Sequence, residues 1–523
     1  MLFRSPRPPV DIPRVPVTTY VLERAGEVAD RTALVDAITG RRMTYAGLEA
    51  TIARLTGGLA ARGYGRGDVF GIYAPNTLEY PIAFHGVAQL GAVITTVNPL
   101  FTADELANQL RDCGAKCLFT IPAFMEKASA AAARAGLREI VVFGESEGAV
   151  SFSELLVASG PPPAAAIDPG DVVALPYSSG TTGLPKGVML THGNLVANIA
   201  QSAAALPMEG ADTVIAVLPF FHIYGLQVIL NGGLHAGATL VVLPRFDLET
   251  FLRAIQEHRA TWAFVVPPIA LALARHPAVD GFDLSSLRQV LSGAAPLSAD
   301  LARAVTRRLG CRMLQGYGMT ETSPVTHTNS GPSIETKPGS VGALVSNTEG
   351  RIVDPVGGRE LAAGEQGEIC VRGPQIMKGY LGRPEATAAM IDAEGWLHTG
   401  DIGYADDDGD FFVVDRLKEL IKYKGCPVAP AELEALLLTH PAVADVAVIP
   451  SPDDEAGEVP KAFVVTRAQV TPEELMDFVA QHVAPTKRVR RVEMIDQIPK
   501  SPSGKILRRV LVDRERSRAG GGI

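Results

Sequence analysis

The sequence predicts an α/β protein with a large N-terminal domain of doubly wound α/β subdomains, a β-rich extension of that domain, and a small α+β domain at the C-terminus. Three observations predict it. Short apolar runs alternate with helical patterns over the first two thirds of the 523 residues. Near residue 339 the pattern changes to short strands separated by Gly/Asp turns. From about residue 419 helices and strands return, over a length sufficient for a small domain. The expected large domain spans 1–414, with α/β subdomains over 1–338 and the β-rich subdomain over 339–414. The small domain spans 419–523.

The elements follow in order. Residues 43–63 carry Ala, Leu and Ile at helical spacing and end on Gly63. DVFGIYA at 68–74 reads as a buried strand, 78–92 as a helix and 93–98 as the next strand. The helix at 101–114 opens on Thr102 with Glu105 three residues on, a capping box. Residues 116–120 and 138–144 are further strands. The Pro/Ala-rich stretch 159–166 is expected to be a surface loop inside the large domain. Past 339, VGALV, EGRIVD, QGEICVRG, GWLHTGDIG and GDFFVVD read as short strands. Past 419, PAELEALLLTH and EELMDFVAQHV read as helices and VADVAVIP and AFVV as strands.

Composition narrows the function classes. A hydrophobic fraction of 47% and a charged fraction of 20% exclude wholesale disorder. The net charge of −9 argues against a dedicated nucleic-acid binder. Charge is uneven: residues 485–523 carry +7, leaving −16 on the rest. Such a basic segment is either a solvated face or the partner of an anionic ligand. Five cysteines in a chain this long do not form a disulfide framework; Cys113 and Cys117 have no further Cys/His cluster to complete a zinc set. The first residues lack an apolar signal-peptide core, and the last three are not a peroxisomal signal. The most apolar stretch, 214–234, is broken by Pro219, His222, Gln227 and Asn231. A cytoplasmic protein without a membrane span is expected.

The strongest local feature is YSSGTTGLPKGV, residues 177–188, set between two apolar strands. Its glycines let backbone N–H groups converge on a phosphate, its hydroxyls add donors, and Lys186 adds a charge. It is not a Walker-type loop, because Gly187 stands where Ser or Thr would follow the lysine. Two decoys are set aside. GESEG at 144–148 matches the nucleophile-elbow pattern of hydrolases, but Glu145 and Glu147 would oppose an oxyanion at Ser146. DDDGD at 406–410 suggests a calcium loop, but that register puts Tyr404 where a carboxylate is needed.

SSGTTGLPKG resembles the phosphate-binding signature of the adenylate-forming superfamily, which includes acyl-CoA synthetases. LPFFHIYG (218–225), LSGAAPL (291–297), QGYGMTE (315–321), GWLHTGD (395–401), VDRLKELIKYKG (414–425) and PKSPSGKILRR (499–509) match further motifs in order. The likeness covers nearly the whole chain and is nearest the 4-coumarate–CoA ligase branch. It implies a two-step ligase: a carboxylate attacks ATP to give acyl-AMP and pyrophosphate, then coenzyme A displaces AMP. The alternatives are a medium- or long-chain fatty-acyl ligase, a ligase loading a carrier-protein thiol, and a nucleotide-binding member without activity.

The resemblance also implies roles. Ser178, Ser179, Gly180, Thr181, Thr182, Gly183 and Lys186 would hold ATP phosphates, and Gln315, Gly316 and Tyr317 the nucleotide. Thr320 would contact the AMP phosphate and Glu321 would hold Mg²⁺, a hard cation suited to carboxylate and phosphate oxygens. Asp401 and Arg416 would bind the ribose. The acyl group would meet His222, Tyr224, Gly293, Ala294, Gly316, Lys418 and Lys422. Residues 415–418 would form a hinge at Lys418 about which a mobile small domain turns. Lys505 would serve adenylation and Lys422 the thioester step. Arg245, Lys424 and Gly425 would meet coenzyme A; Arg245 replaces the lysine usual in the branch, keeping charge but not shape. The expected partners are thus a small carboxylic acid, ATP and coenzyme A, with no nucleic acid; a homodimer is the assembly allowed for.

Overall fold

The computed structural model describes residues 1–157, 166–178, 185–330, 337, 339–424, 426–453, 455–501 and 504–519. Among these the strands form four sheets, of nine, nine, five and five strands. The expected loop at 159–166 falls almost wholly outside the described residues.

In the first nine-stranded sheet, Val172–Ala174, Val93–Thr96, Val69–Tyr73, Ala115–Thr120 and Glu139–Val142 run parallel in that order. In the second, Arg312–Gly318, Gln289–Ser292, Trp262–Val265, Thr213–Ala216, Thr239–Val242 and Thr32–Asp36 do the same. Both central runs are nearly continuous in Val, Ile, Leu and Phe because both faces are covered. Helices Tyr45–Ala61, Glu79–Gln89 and His192–Ala205 share one core with strands of both sheets, through Leu48, Leu55, Phe84, Ile199, Phe70, Ile94, Ile215 and Val241. The expected capping box at Thr102 and Glu105 opens helix Ala103–Asp112.

The region past 339 is rich in strands as expected, with Glu349–Val353, Gly367–Arg372, Leu397–Ala405 and Phe411–Arg416 side by side and antiparallel. At the C-terminus, period-two alternation decides the layers. Val446 and Val448 pack into one cluster with Leu433 and Leu475, while Ala447 and Ile449 pack into another with Leu511. Helices therefore cover both faces of this small sheet, which makes it a small α+β domain following a large α/β body.

Both decoys are disposed of. The strand Val150–Ser151 separates Ser146 from helix Phe152–Val157, so no strand–turn–helix elbow exists there. At 406–410 the carboxylates of Asp406, Asp408 and Asp410 hold Lys337 Nζ at 2.7, 2.7 and 3.1 Å. No described helix is long and apolar enough to cross a membrane.

Candidate active site

Ligands of open parallel sheets gather at the carboxyl ends of the strands. In the second sheet those ends lead into His222, Val266, Gly293 with Ala294, and Gln315 to Tyr317. His222 comes just before a stretch of π-helix, Tyr224–Asn231, a wide turn often found at functional sites. The Tyr224 N–H donates to His222 Nδ1 at 3.2 Å, which assigns the ring proton to Nε2. Burial, with Lys505 nearby, pulls the His222 pKa down to about 4, so the ring is a neutral donor at pH 7. Tyr224 OH donates to Leu291 O at 3.1 Å, and a Cβ at Gly293 would lie 3.2 Å from the Tyr224 ring. Ala294 holds a left-handed φ of 69°, a strained backbone typical of sites.

Strand Arg312–Gly318 carries Gln315, Gly316 and Tyr317 to the same edge and continues into the turn Thr320–Thr322. Gly318 is required there, since a Cβ would meet Pro324 O at 1.8 Å. Tyr317 OH donates to Asp401 Oδ2 at 2.5 Å. Asp401 Oδ1 lies 3.3 Å from Arg416 Nε, its direct cross-strand partner. Burial raises the Asp401 pKa, and Arg416 opposes that rise.

Lys505 comes from the small domain. Its loop packs on the large domain: a Cβ at Gly504 would lie 3.1 Å from Val266 Cγ2 and 3.3 Å from Pro268 Cδ. Burial, then the Arg416 charge, lowers the Lys505 pKa to about 8, while Asp401, Glu419 and Glu321 pull it back up. Three distant stretches of sequence thus put a lysine, an arginine, a carboxylate and a neutral imidazole around one space.

A second cluster surrounds Glu321. Its Oε1 accepts from Ser178 Oγ at 2.9 Å and from Tyr380 OH at 2.7 Å. Lys186 Nζ stands 5.0 Å from the centre of the Tyr380 ring. Gly379–Tyr380 pairs antiparallel with Lys186–Thr191, and Met377 N donates to Glu321 O at 2.9 Å. Tyr177, just before the phosphate-type loop, donates to Asp112 Oδ2 at 2.7 Å, and Arg383 donates to Asp112 Oδ1 at 3.0 Å. Residues 377–383 therefore strap the hairpin that flanks the loop. Sequence reasoning missed Tyr380, Asp112 and Arg383; the signal available was only that a buried tyrosine hydroxyl needs an acceptor.

Ser179, Gly180, Thr181, Thr182, Gly183 and Gly425 lie outside the described residues. Ser178 and Lys186, at the loop's two ends, are half-buried, as is Thr320 beside Glu321. Arg245, Lys418, Lys422 and Lys424 are exposed. Lys424 pairs with Glu455 at 2.5 Å, and Lys422 offers its backbone N–H to Glu458 Oε2 at 2.8 Å. The structure does not gather these four around Lys505.

The arrangement can hold an anion between Lys505 and Arg416, accept from a hydroxyl pair at Asp401, and offer a neutral donor at His222. Comparison with known proteins adds to this. Residues 21–381 match the family model described as AMP-binding enzyme, and residues 432–505 the model of the AMP-binding enzyme C-terminal domain. The chain is 47% identical over 523 residues to 4-coumarate–CoA ligase 2 of Petroselinum crispum, covering 98% of this chain and 96% of the relative. It superposes on the anthranilate CoA ligase AuaEII in complex with anthranoyl-AMP with a TM-score of 0.90, at 28% identity over 97% of this chain and 98% of that one. The ATP-bound crystal structure of MatB from Rhodopseudomonas palustris, 29% identical over 97% of this chain and 100% of that one, superposes at 0.88. Apo MatB, at the same identity and coverage, superposes at 0.77. The overall arrangement is thus more similar to the ATP-bound form.

Proposed function

The chain belongs to the AMP-binding enzyme family, and from that membership we propose that it is an ATP-dependent carboxylate–CoA ligase acting on an aryl-propenoic acid of the 4-coumarate type. The observation that carries the reading is Lys505, delivered by the small domain to the space bounded by Asp401, Arg416 and His222. Full-length likeness to a protein named 4-coumarate–CoA ligase supports the acid.

The chemistry follows from the charges. A carboxylate oxygen bonds to the α-phosphorus of ATP, and the bond from that phosphorus to pyrophosphate breaks. Lys505 and Arg416 offset the negative charge that gathers there. Asp401 accepts from the ribose hydroxyls, held in place by Tyr317 and Arg416. His222 donates Nε2–H toward the acyl carboxylate, while Tyr224 and Gly293 shape the acyl wall. Thr320, Gln315 and Gly316 meet the AMP moiety, and Lys186 with the hydroxyl loop meets the departing phosphates. In the second step the coenzyme A sulfur bonds to the acyl carbon, the carbon–oxygen bond to AMP breaks, and the thiol proton goes to solvent. Lys422 serves this step, and Lys424, Gly425 and Arg245 bind coenzyme A, once the small domain turns at Lys418. The reading carries a cytoplasmic enzyme that meets its three substrates as free solutes, alone or as a homodimer.

Glu321 fits Mg²⁺: it is buried, and among the described residues its Oε1 is held by the hydroxyls of Ser178 and Tyr380. The ion would supply charge neutralisation on the phosphates. Glu321→Gln is expected to raise the Mg²⁺ concentration giving half-maximal adenylation by about tenfold, since an amide is a poorer ligand for a hard cation. An unchanged Mg²⁺ titration of pyrophosphate release would remove Glu321 from the site.

The pH dependence follows from Lys505. Its pKa of about 8 in the free enzyme means the charged form is lost as pH rises through 8. kcat/KM for pyrophosphate release should therefore fall on that alkaline side, and Lys505→Arg should move the fall to higher pH. A flat profile from pH 7 to 10 would contradict this.

A panel of carboxylic acids scored by coenzyme A-dependent AMP release tests the substrate. Cinnamate and 4-coumarate are expected to give the largest kcat/KM. A much larger value for long-chain fatty acids would overturn the aryl assignment and favour the fatty-acyl alternative.

A further inference from the structure

Strands Gly367–Arg372 and Leu397–Ala405 are out of step where they approach the active site. Cys370 pairs with His398 and Glu368 with Ile402, so residues 399–401 stand opposite Ile369 alone. Such a bulge leaves backbone groups without ladder partners and re-aims the side chains it carries. The carried side chain here is Asp401.

Side chains take over the bonding. Thr399 Oγ1 donates to Ile369 O at 2.7 Å and accepts from Asp401 N at 3.1 Å. Gly400, at a left-handed φ of 70°, gives its N–H to Glu368 Oε1 at 2.9 Å. The other oxygen, Glu368 Oε2, lies 2.9 Å from His398 Nδ1. His398 Nε2 lies 3.6 Å from Asp392 Oδ2, and Arg351 holds that Asp392 oxygen at 2.9 Å. Cys370 Sγ stands 3.4 Å from His398 Nδ1. The chain Arg351–Asp392–His398–Glu368 thus ends on the N–H of Gly400, the residue before Asp401. On its other side Gly400 O accepts the N–H of Leu417 at 2.8 Å, between Arg416 and Lys418.

We propose that Glu368 is a positioning residue for the nucleotide, acting through the bulge at 399–401. Its carboxylate fixes Gly400, and Gly400 sets both the aim of Asp401 and the place of Leu417 beside Arg416. The Glu368 carboxylate oxygen reaches the Gly400 N–H across the bulge, and losing that acceptor leaves a half-buried donor without a ladder partner. Glu368 touches no substrate; His398 orients it from behind. This inference rests on the nucleotide reading of Asp401 above.

The test is equilibrium binding of AMP by titration calorimetry to full-length protein, with thermal unfolding recorded for every variant. Reach, rather than charge, is what the geometry demands. Glu368→Ala is expected to weaken AMP binding about tenfold, the order of a lost hydrogen bond that leaves its donor unpaired. Glu368→Gln keeps an oxygen for Gly400 and an amide for His398, and should stay within about twofold of wild type. Glu368→Asp keeps the charge but is one methylene short, and should fall as far as Ala. If Glu368→Ala does not fold, the contrast between Gln and Asp carries the same test. AMP affinity unchanged in both Ala and Asp, or Gln falling as far as Asp, would overturn the proposal. A wild-type protein that does not bind AMP would instead strike the nucleotide reading, leaving the Gly400 bond a structural feature.

Discussion

Lys505→Ala is expected to cut pyrophosphate release from carboxylate and ATP by about 10²–10³-fold, the usual cost of removing one preorganised donor from a developing charge. The loop that bears Lys505 is seated against Val266 and Pro268, and its amine lies in the field of Arg416, Asp401 and Glu321. Burial has already lowered its pKa to about 8, so the site holds a desolvated ammonium whose field is little screened by water. That field acts only at short range. Under the proposed rotation of the small domain, Lys505 would leave the phosphate and cease to matter. Thioester formation from pre-made acyl-AMP and coenzyme A should therefore fall less than about fivefold in the same variant, far inside the loss expected of a working donor. Rapid-quench assays of the two half-reactions separate the outcomes. Equal loss in both would make Lys505 a structural residue.

Lys422→Ala should show the reverse bias. In the present arrangement Lys422 is exposed, on the short strand Ile421–Tyr423, while Lys505 occupies the site. One rigid small domain cannot present both lysines to the same phosphate. Pyrophosphate release should stay within about twofold of wild type, and thioester formation should fall by about 10²-fold if Lys422 takes the place Lys505 vacates. Pyrophosphate release falling as far as thioester formation would remove the rotation from the account.

Much of this was legible in the sequence. Strands and helices of the large body follow apolar runs bounded by glycines, and the capping box at Thr102 marks a helix start within a residue. The two-faced strand Val443–Asp453 is legible because side chains alternate, Val446 and Val448 to one layer and Ala447 and Ile449 to the other. Motif order offered Asp401, Arg416, Glu321 and Lys505 as candidates, and the structure sets the first two side by side with Lys505 in their field. What stayed hidden depends on long-range contact. Tyr380 lies 59 residues from the Glu321 it holds, and Asp112 lies 271 residues from Arg383. No periodicity links such pairs. The bulge at 399–401 is hidden for another reason: HTGD looks like part of a regular strand until its partner is known. The π-helix at Tyr224–Asn231 lies inside the apolar stretch 214–234, and its wider turn leaves no mark in composition.

The central claim is that the carboxylate itself attacks the α-phosphorus and that coenzyme A then displaces AMP. Oxygen labelling follows those bonds directly. When 4-coumarate carrying ¹⁸O in both carboxylate oxygens turns over with ATP and coenzyme A, mass spectrometry should find one ¹⁸O in the AMP and one in the thioester carbonyl. Pyrophosphate should carry none. Label in pyrophosphate or inorganic phosphate, or AMP without label, would mean that no acyl-adenylate forms, and would contradict the account.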